Sequence, residues 1–583
     1  METMSNSPAT ATPHAATPTN SQGVIGQDWF ATHVAVRLQD FFFETAPWQR
    51  RLWDAGTLSA LKELLDASYW QSQNVLSPGS VSWLAKELER IVGRDHGLGG
   101  REMKKKFTVE LASSVPYDSR HWRTLQQLTL QAEKHYLGRW LEAVDQASFP
   151  GAERTARAIA GLLLDSGLSM PFLHSWIGRH ISACSRLEEV FRDAEDLRTQ
   201  GIQVFEAVIP FALMPNMPVA EAHERWLSAP DVSKWLAGDN PDFKNGVRQV
   251  GGFKYKIEAK DPYAAARMSA GIVDRLIARA SYAPGYKRMS PSGNVWVRSP
   301  SDSVAREYPL SQPHRGTYVR SLVSEFKVHD VGVTSTSLDD ALELAASLNN
   351  SSSAGPALAS GWSALESLLF SPGDPQDSKD GRGVIVAARA ASLAACSWPR
   401  AELTSLAHAH NRKPAAPSHA GHFAQALTPS GSASNSAADN IALAKMIRGA
   451  VGNKERCDIV LAHFDAGLML HLAGASDAAA QERVLGLIAN AHGTLGDVRT
   501  QINHAFRRMY RNRNMVVHGG AANAGTLEVA LRTSAPLVGA VLDRIAHAQL
   551  VDSMSPLDLA ALSDISLESV RLPEGPKLTL LLE

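Results

Sequence analysis

The residues with the clearest chemical potential lie near the C-terminus, where arginine and histidine recur along one predicted helix. From Val498 to His518 the chain carries five arginines and no acidic residue. Such a helix repels itself along its length, so folding alone gives little reason to place these arginines together, whereas a polyanionic partner does. The helix is predicted to end at Gly519 and Gly520, because glycine tolerates the left-handed backbone of a C-cap.

An ideal helical wheel divides this segment into two faces. The apolar face is predicted to pack in the core and consists mostly of Ile502, Phe506, Met509, Tyr510, Val516 and Val517. The opposite face is predicted to form a basic groove and consists of His504, Arg507, Arg508, Arg511, Asn514 and His518. Asn514 and His518 are four residues apart, so the amide can hydrogen-bond the imidazole and fix its orientation.

These residue types suit the cleavage of RNA, which supplies its own nucleophile, the 2′-hydroxyl. The reaction needs a base for the hydroxyl proton, an acid for the leaving 5′-oxygen and cations for the phosphorane. Histidine can act as base or acid near neutral pH, and arginine binds phosphate oxygens in pairs. This chemistry requires no metal and no cofactor. The expected partner is RNA, contacted along its backbone by Arg507, Arg508 and His504.

Two strings in the sequence resemble a known family. YRNRNMVVHG, from Tyr510 to Gly519, resembles the RNxxxH form of the Rx4-6H motif of HEPN domains, particularly the Apea-like HEPN group, and GWSALESLL at Gly361–Leu369 is similar to the first-helix signature of that group. The resemblance implies a four- or five-helix bundle over about 354–550 that dimerises, so that two Arg/His pairs form one composite site for metal-independent RNA cleavage. It also implies a role in phage defence by abortive infection.

The resemblance assigns catalysis to Arg513, Asn514 and His518, with Tyr510 completing the motif. Arg513 has the matching four-residue gap to His518, and Arg511, with a gap of six, is the alternative. On a straight helix Arg511 shares the face of His518 while Arg513 projects away, so the choice of Arg513 requires a bend near the helix end.

Glu366 is a further candidate for the rim of the site. It lies at the edge of an apolar stripe on the signature helix, formed by Leu358, Trp362, Leu365 and Leu369. Its carboxylate either positions Arg513 or His518 or forms an ordinary salt bridge that orders the bundle.

The elements around this site predict a mainly α, multidomain protein. Residues 1–22 are predicted to be a disordered tail, 23–201 an all-α domain with amphipathic runs, and 202–348 an α+β domain with strands such as FEAVIPFALM and GFKYKIEA. Small polar residues predict a linker at 349–356. The HEPN domain is expected at 357–550 with a flexible insert at 408–440, followed by a C-terminal extension at 551–583.

Composition excludes several classes of function. The balance of 58 basic and 59 acidic residues names no partner, and the chain contains no P-loop for ATP or GTP. Three widely spaced cysteines predict no disulfide framework, which fits the cytoplasm, and no stretch approaches the ~18 apolar residues of a membrane span. Four histidines in the insert, at 408, 410, 419 and 422, lack nearby cysteine or acidic partners and are not expected to bind metal.

Two hypotheses for function follow. The first is an HEPN endoribonuclease whose upstream region responds to a phage or host trigger. The alternative is a non-catalytic HEPN module that binds nucleic acid or a nucleotide, or serves as a dimerisation scaffold.

Overall fold

The structure is a computed structural model that describes residues 22–144, 151–238, 246–286, 288–302, 304–311, 314–374, 381–412, 427, 436–520, 525–572 and 574–581. The chain is mainly helical, with one small antiparallel sheet in its middle, which confirms the predicted fold class. The chain has three regions: the N-terminal domain, residues 23–201; the middle domain, residues 202–310; and the C-terminal domain, residues 337–581.

The N-terminal domain is helical, as predicted, and its helices begin at residues with strong capping chemistry. Ser77 accepts a hydrogen bond from the Ser80 N–H at the start of the helix Pro78–Val92, where Pro78 occupies the first turn. Two short 3-10 turns lie at Trp48–Arg50 and His96–Leu98. The α-helices are α1 Trp29–Phe41, α2 Thr57–Ser72, α3 Pro78–Val92, α4 Arg101–Ala112, α5 Arg120–Glu133, α6 Tyr136–Val144, α7 Ala152–Asp165, α8 Met170–Ser182 and α9 Leu187–Thr199.

The middle domain is an antiparallel sheet covered by helices. Its strands lie in the order β2-β3-β1-β5-β6, with β4 paired to β1. Alternate residues of the strand Gln203–Leu213 face opposite sides: Phe205 and Ile209 pack with the helix Pro262–Tyr282, while Val208 packs with the helix Ala229–Ala237. The elements are β1 Gln203–Leu213, α10 Met217–Glu221, β2 Trp226–Ser228, α11 Ala229–Ala237, β3 Gly251–Ala259, α12 Pro262–Tyr282, β4 Ser290–Pro291, β5 Asn294–Arg298 and β6 Arg306–Pro309.

The C-terminal domain is a helical assembly with one extended apolar core. A second, smaller core lies between α16, α17, α18 and α19 and contains Leu403, Ile447 and Phe464. A single helical turn, α13 Ser321–Ser324, precedes the domain. The helices are α14 Ser337–Asn350, α15 Ala354–Leu369, α16 Gly381–Ala409, α17 Ala437–Gly449, α18 Asn453–Asp465, α19 Ala475–Ala489, α20 Ala491–Gly519, α21 Gly525–Val551 and α22 Pro556–Ser569.

Helices extend into the predicted linker and beyond the predicted end of the C-terminal domain. The linker expected at 349–356 shrinks to three residues, Ser351–Ser353, because α14 continues to Asn350 and the first turn of α15 accommodates Pro356. Leu348 of α14 and Leu559 of α22 are buried in the same core as α15. The bundle is therefore larger than the four or five helices that the resemblance implies, and residues after 550 belong to it.

The N-terminal and C-terminal domains share their cores. Trp48 and Trp53 of the N-terminal domain stack at 5.8 Å between ring centroids and are buried in the C-terminal core. In return, Met515 of α20 is buried in the N-terminal core. Polar links add to this contact, since Arg50 donates to Asp477 at 2.8 Å. The two domains therefore form one packed body.

Parts of two predictions lie outside the described residues. The predicted tail is described only at residue 22, and the insert only at 408–412, 427 and 436–440, where α16 ends and α17 begins. Within the described ranges, no helix combines the length and the apolar character that crossing a bilayer requires.

Helix α21 lies so close to the segment before α14 that one added methyl group would disturb the contact. A Cβ at Gly539 would overlap the backbone of Thr317. We expect Gly539→Ala to lower the free energy of unfolding by about 2 kcal/mol, because the backbone must shift. Gly486→Ala, in open space on α19, should raise it by about 0.5 kcal/mol or more through helix propensity. Urea unfolding followed by circular dichroism measures both, and equal effects would contradict the close contact.

Candidate active site

The helix that carries the HEPN-like motif, α20, is fixed at both ends by local sequence. At its start the Asn490 side chain accepts a hydrogen bond from the Gly493 N–H at 3.1 Å. At its end the helix continues through Gly519 and stops at Gly520, whose φ is 68°. The predicted helix end is therefore confirmed.

The two strings that resemble the HEPN family meet in space. A Cβ at Gly361 would lie 3.0 Å from the Met509 side chain, so the missing side chain lets α15 approach α20 closely. Next to this contact the rings of Trp362 and Tyr510 lie 5.0 Å apart between centroids. Tyr510 also fills the space above Gly383 of α16, where a Cβ would overlap its ring. Tyr510 therefore holds three helices in place behind the motif.

Four of the predicted site residues come together at the C-terminal end of α20. Nη1 of Arg513 donates to Oδ1 of Asn514 at 3.0 Å and lies 3.4 Å from Nε2 of His518. Nη2 of Arg513 is 4.0 Å from Oε2 of Glu366, which also accepts a hydrogen bond from Nε1 of Trp362 at 3.2 Å. From this position the Glu366 carboxylate can orient Arg513, and it can also form an ordinary salt bridge that orders the helices. Both interpretations of Glu366 are therefore compatible with the structure.

Arg513 reaches His518 without the bend that the helical wheel seemed to require. A wheel gives the direction of a Cβ atom, whereas a guanidinium lies at the end of a long chain and can fold along the helix. The side chain of Arg513 is 23% exposed and spans the five positions to the imidazole. The helical wheel therefore indicated the wrong arginine, Arg511 instead of Arg513, as the neighbour of His518.

The His518 imidazole is exposed at the end of α20. Arginine only donates hydrogen bonds, so Nε2 of His518 can accept in this contact when that nitrogen carries no proton. A neutral imidazole can take up a proton. The geometry therefore offers an accessible base beside a guanidinium.

Two arginines of the predicted basic face of α20 are buried and paired within the protein. Arg508 and Arg511 are only 4% and 2% exposed and share the buried carboxylate of Glu63 from α2, with Nε of Arg508 at 2.9 Å and Nη2 of Arg511 at 2.7 Å. Burial alone raises the pKa of the Glu63 carboxyl, but Arg511 and Arg508 outweigh it and hold that pKa below its usual range. In this arrangement neither arginine can contact RNA, and Arg511 cannot replace Arg513.

His504 and Arg507, also predicted to contact RNA, pack against α3. Nδ1 of His504 lies 2.6 Å from Oε1 of Glu87, and the guanidinium of Arg507 lies 3.9 Å from the ring centroid of Trp83. The run of arginines predicted a polyanionic partner. Part of that negative charge comes from this chain itself, because Glu63 and Glu87 of the N-terminal domain contact the helix.

The N-terminal domain also reaches the end of the motif. A Cβ at Gly519 would lie 2.6 Å from the ring of Trp70 in α2, so glycine is required for this approach. Trp70 is partly exposed and lies beside the residue that follows His518. One wall of the candidate site therefore belongs to the N-terminal domain.

Three residues of the site were missed by the sequence reasoning. Glu63 and Glu87 each interrupt an apolar helical face in the N-terminal domain, which is a signal for a buried charge that needs a partner. Arg382, at the start of α16, has Nη1 3.9 Å from Oε1 of Glu366 and is 55% exposed. No pattern in the sequence distinguishes Arg382 from other surface arginines.

Comparisons with family models, with curated proteins and with solved structures give no match for this chain. The relation to HEPN domains therefore rests on the residues described above and remains a prediction.

The pairing of Glu63 with two arginines predicts a specific pH dependence. Glu63→Gln should lower the free energy of unfolding at pH 7 by about 3 kcal/mol, because Arg508 and Arg511 lose the carboxylate that both of them contact directly. Since the folded pKa of Glu63 is lowered, the wild-type protein holds this stability above about pH 4.5 and loses it as the pH falls further. The difference between wild type and variant should therefore shrink in acid.

Unfolding by urea at several pH values measures this difference. Glu102→Gln, on the exposed face of α4, is the matched control and should leave stability within about 0.5 kcal/mol of wild type at every pH. A difference for Glu63→Gln that stays constant down to pH 3 would contradict the ion pair.

Proposed function

We propose that this protein is a metal-independent endoribonuclease of the HEPN type. The observation that carries the proposal is the 3.4 Å approach of the Arg513 guanidinium to the exposed imidazole of His518. The meeting of the two family-like strings at Trp362 and Tyr510 supports it.

In the proposed reaction His518 takes the proton of the RNA 2′-hydroxyl. The freed oxygen attacks the adjacent phosphorus, and Arg513 stabilises the charge that develops on the phosphorane oxygens. Asn514 holds the guanidinium through its Oδ1, and Glu366 holds it from the other side. The products are a 2′,3′-cyclic phosphate and a free 5′-hydroxyl.

The leaving 5′-oxygen needs an acid, and among the residues that the structure describes one copy of the chain presents a single imidazole at this site. We propose that a second copy supplies the other Arg/His pair, so that one histidine acts as base and the other as acid. The exposure of His518 at the end of a helix is compatible with such an approach. The homodimer is therefore part of the proposal.

The arginines that would contact RNA in this proposal differ from Arg507 and Arg508, which the helical wheel predicted. Arg513 and Arg382 flank Glu366, and Arg382 is the more exposed of the two. Arg382 would bind a phosphate next to the scissile one. Arg508 and Arg511 would instead hold the N-terminal domain in place.

The role in defence against phage rests on the resemblance alone. In that role the N-terminal and middle domains would respond to a phage or host trigger and restrain cleavage. One observation favours the alternative of a non-catalytic scaffold: much of the positive charge of α20 is neutralised by Glu63 and Glu87 within the chain.

Cleavage of RNA in the presence of a chelator separates the two functions. We expect wild-type protein to release fragments that end in 2′,3′-cyclic phosphate, and His518→Ala to lower the rate by about 1,000-fold, because the base is lost. His492→Ala, an exposed histidine on the same helix, is the matched control and should cut like wild type. If wild type and His518→Ala bind RNA equally and neither cuts it, the scaffold is the better description.

The composite site predicts that activity depends on self-association. Cleavage per molecule should rise with protein concentration over the range in which sedimentation shows monomers becoming dimers. Added His518→Ala protein should inhibit wild type, because mixed dimers lack one imidazole. Constant activity per molecule across that range would sink the two-copy site.

A further inference from the structure

A second candidate site lies where the three domains meet, away from the Arg513 and His518 cluster. A cavity of about 350 Å³ opens between the end of α1 and α7, helix α12, and the first turns of α21. This volume is in the range of pockets that hold small molecules. The cavity is therefore large enough for a ligand that touches all three domains.

Much of the wall is apolar. Phe41, Leu52 and Leu168 from the N-terminal domain and Leu531 from α21 are buried around it. Phe43, at the rim, is 49% exposed. A ligand would need an apolar part to fill this space.

Four guanidinium groups line the same cavity against three carboxylates. Arg267 pairs with Glu44 at 3.0 Å, and Arg532 pairs with Asp165 at 2.6 Å. The lining charges are Arg51, Arg267, Arg315 and Arg532 against Glu44, Asp165 and Glu528.

Two of these arginines, Arg51 and Arg315, donate hydrogen bonds to backbone carbonyls. Arg51 donates to Ala46 and Arg315 carbonyl oxygens at 2.7 and 2.8 Å, and Arg315 donates to the carbonyls of Ser351 and Ser352. Such bonds orient a guanidinium without supplying a carboxylate in direct contact, although Glu44 lies near Arg51 and Glu528 near Arg315. Within the described part of the chain, Nη1 of Arg532 is buried and has no acceptor.

The pKa values of three of these arginines reflect the cost of burying their charge. Burial lowers the pKa of Arg51 to about 10 despite the nearby Glu44. Burial also lowers the pKa of Arg315 and of Arg532, although Glu528 and Asp165 act in the opposite direction. An added anion would offset the cost of burying these charges.

We propose that this cavity binds a small organic phosphate, with the phosphate at the guanidinium groups and the organic part against the apolar wall. Guanidinium donors match phosphate oxygens in geometry as well as in charge. The cavity is formed by residues outside the RNA-cleaving site, so this proposal does not depend on the proposed function.

The position of the cavity gives the ligand a route to the motif. Gly525, Val529 and Arg532 line it from the first turns of α21, the helix that follows His518 in the chain. A molecule bound there would hold α21 against the N-terminal and middle domains. The ligand would therefore act on the packing of the helix that follows the motif.

Thermal unfolding and calorimetry with phenyl phosphate test the proposal on the full-length protein. We expect phenyl phosphate to raise the Tm in a saturable manner, benzoate to raise it less, and phenol to leave it unchanged. If inorganic phosphate raises the Tm as much as phenyl phosphate, the effect is a general one of ions and the proposal fails.

Variants of one ion pair should change the affinity in opposite directions. Arg267→Gln removes a positive charge and should weaken binding by about tenfold, whereas Glu44→Gln removes a negative charge and should tighten it. Val529→Trp should fill the cavity and abolish binding. Arg279→Gln, on the exposed side of α12, is the matched control.

Each variant is first compared with wild type for its Tm without ligand, so that loss of folding is separated from loss of binding. Saturable binding that is unchanged in Arg267→Gln, Glu44→Gln and Val529→Trp would place the ligand elsewhere and overturn the proposal. The absence of any Tm shift or heat with phenyl phosphate would overturn it as well.

Discussion

Glu63 is a carboxylate buried between two guanidinium groups that come from the other end of the chain. Taking one charge out of water is costly, and the three charges are tolerated together only because Arg508 and Arg511 both reach the same side chain. The contact fixes α2 against α20. Trp70 then lies on Gly519, and Met515 enters the N-terminal core. The surroundings of the motif depend on this interaction.

Local sequence was enough to predict the elements and the end of α20, because capping and periodicity act over a few residues. Gly520 ends the helix as expected, and the strings around Trp362 and Tyr510 meet although a long segment separates them. The partner of the basic face could not be predicted, since a wheel does not distinguish a face that meets water from one that meets another domain. The wheel placed Arg513, the arginine chosen from the family resemblance, away from His518 for a related reason, because a wheel ignores side-chain length.

Domain boundaries were harder to predict than elements. A run of small polar residues is typical of linkers, yet only Ser351–Ser353 lies outside helices, and Leu348 on one side is as buried as Leu358 on the other. Composition reports on the local tendency to pack, whereas burial depends on what the rest of the chain places nearby. For the same reason the sequence did not predict that α22, which follows residue 550, packs into the C-terminal core.

The order in which the chain is made gives the buried glutamate a further consequence. Glu63 precedes Arg511 by 448 residues, and domains of a growing chain tend to fold in the order in which they emerge from the ribosome. The helices of the N-terminal domain are therefore translated long before the arginines, and their shared core with the C-terminal domain forms afterwards. When α20 emerges, its counter-charge is already in place, so a nascent chain has no need to expose that strip of positive charge to cellular RNA.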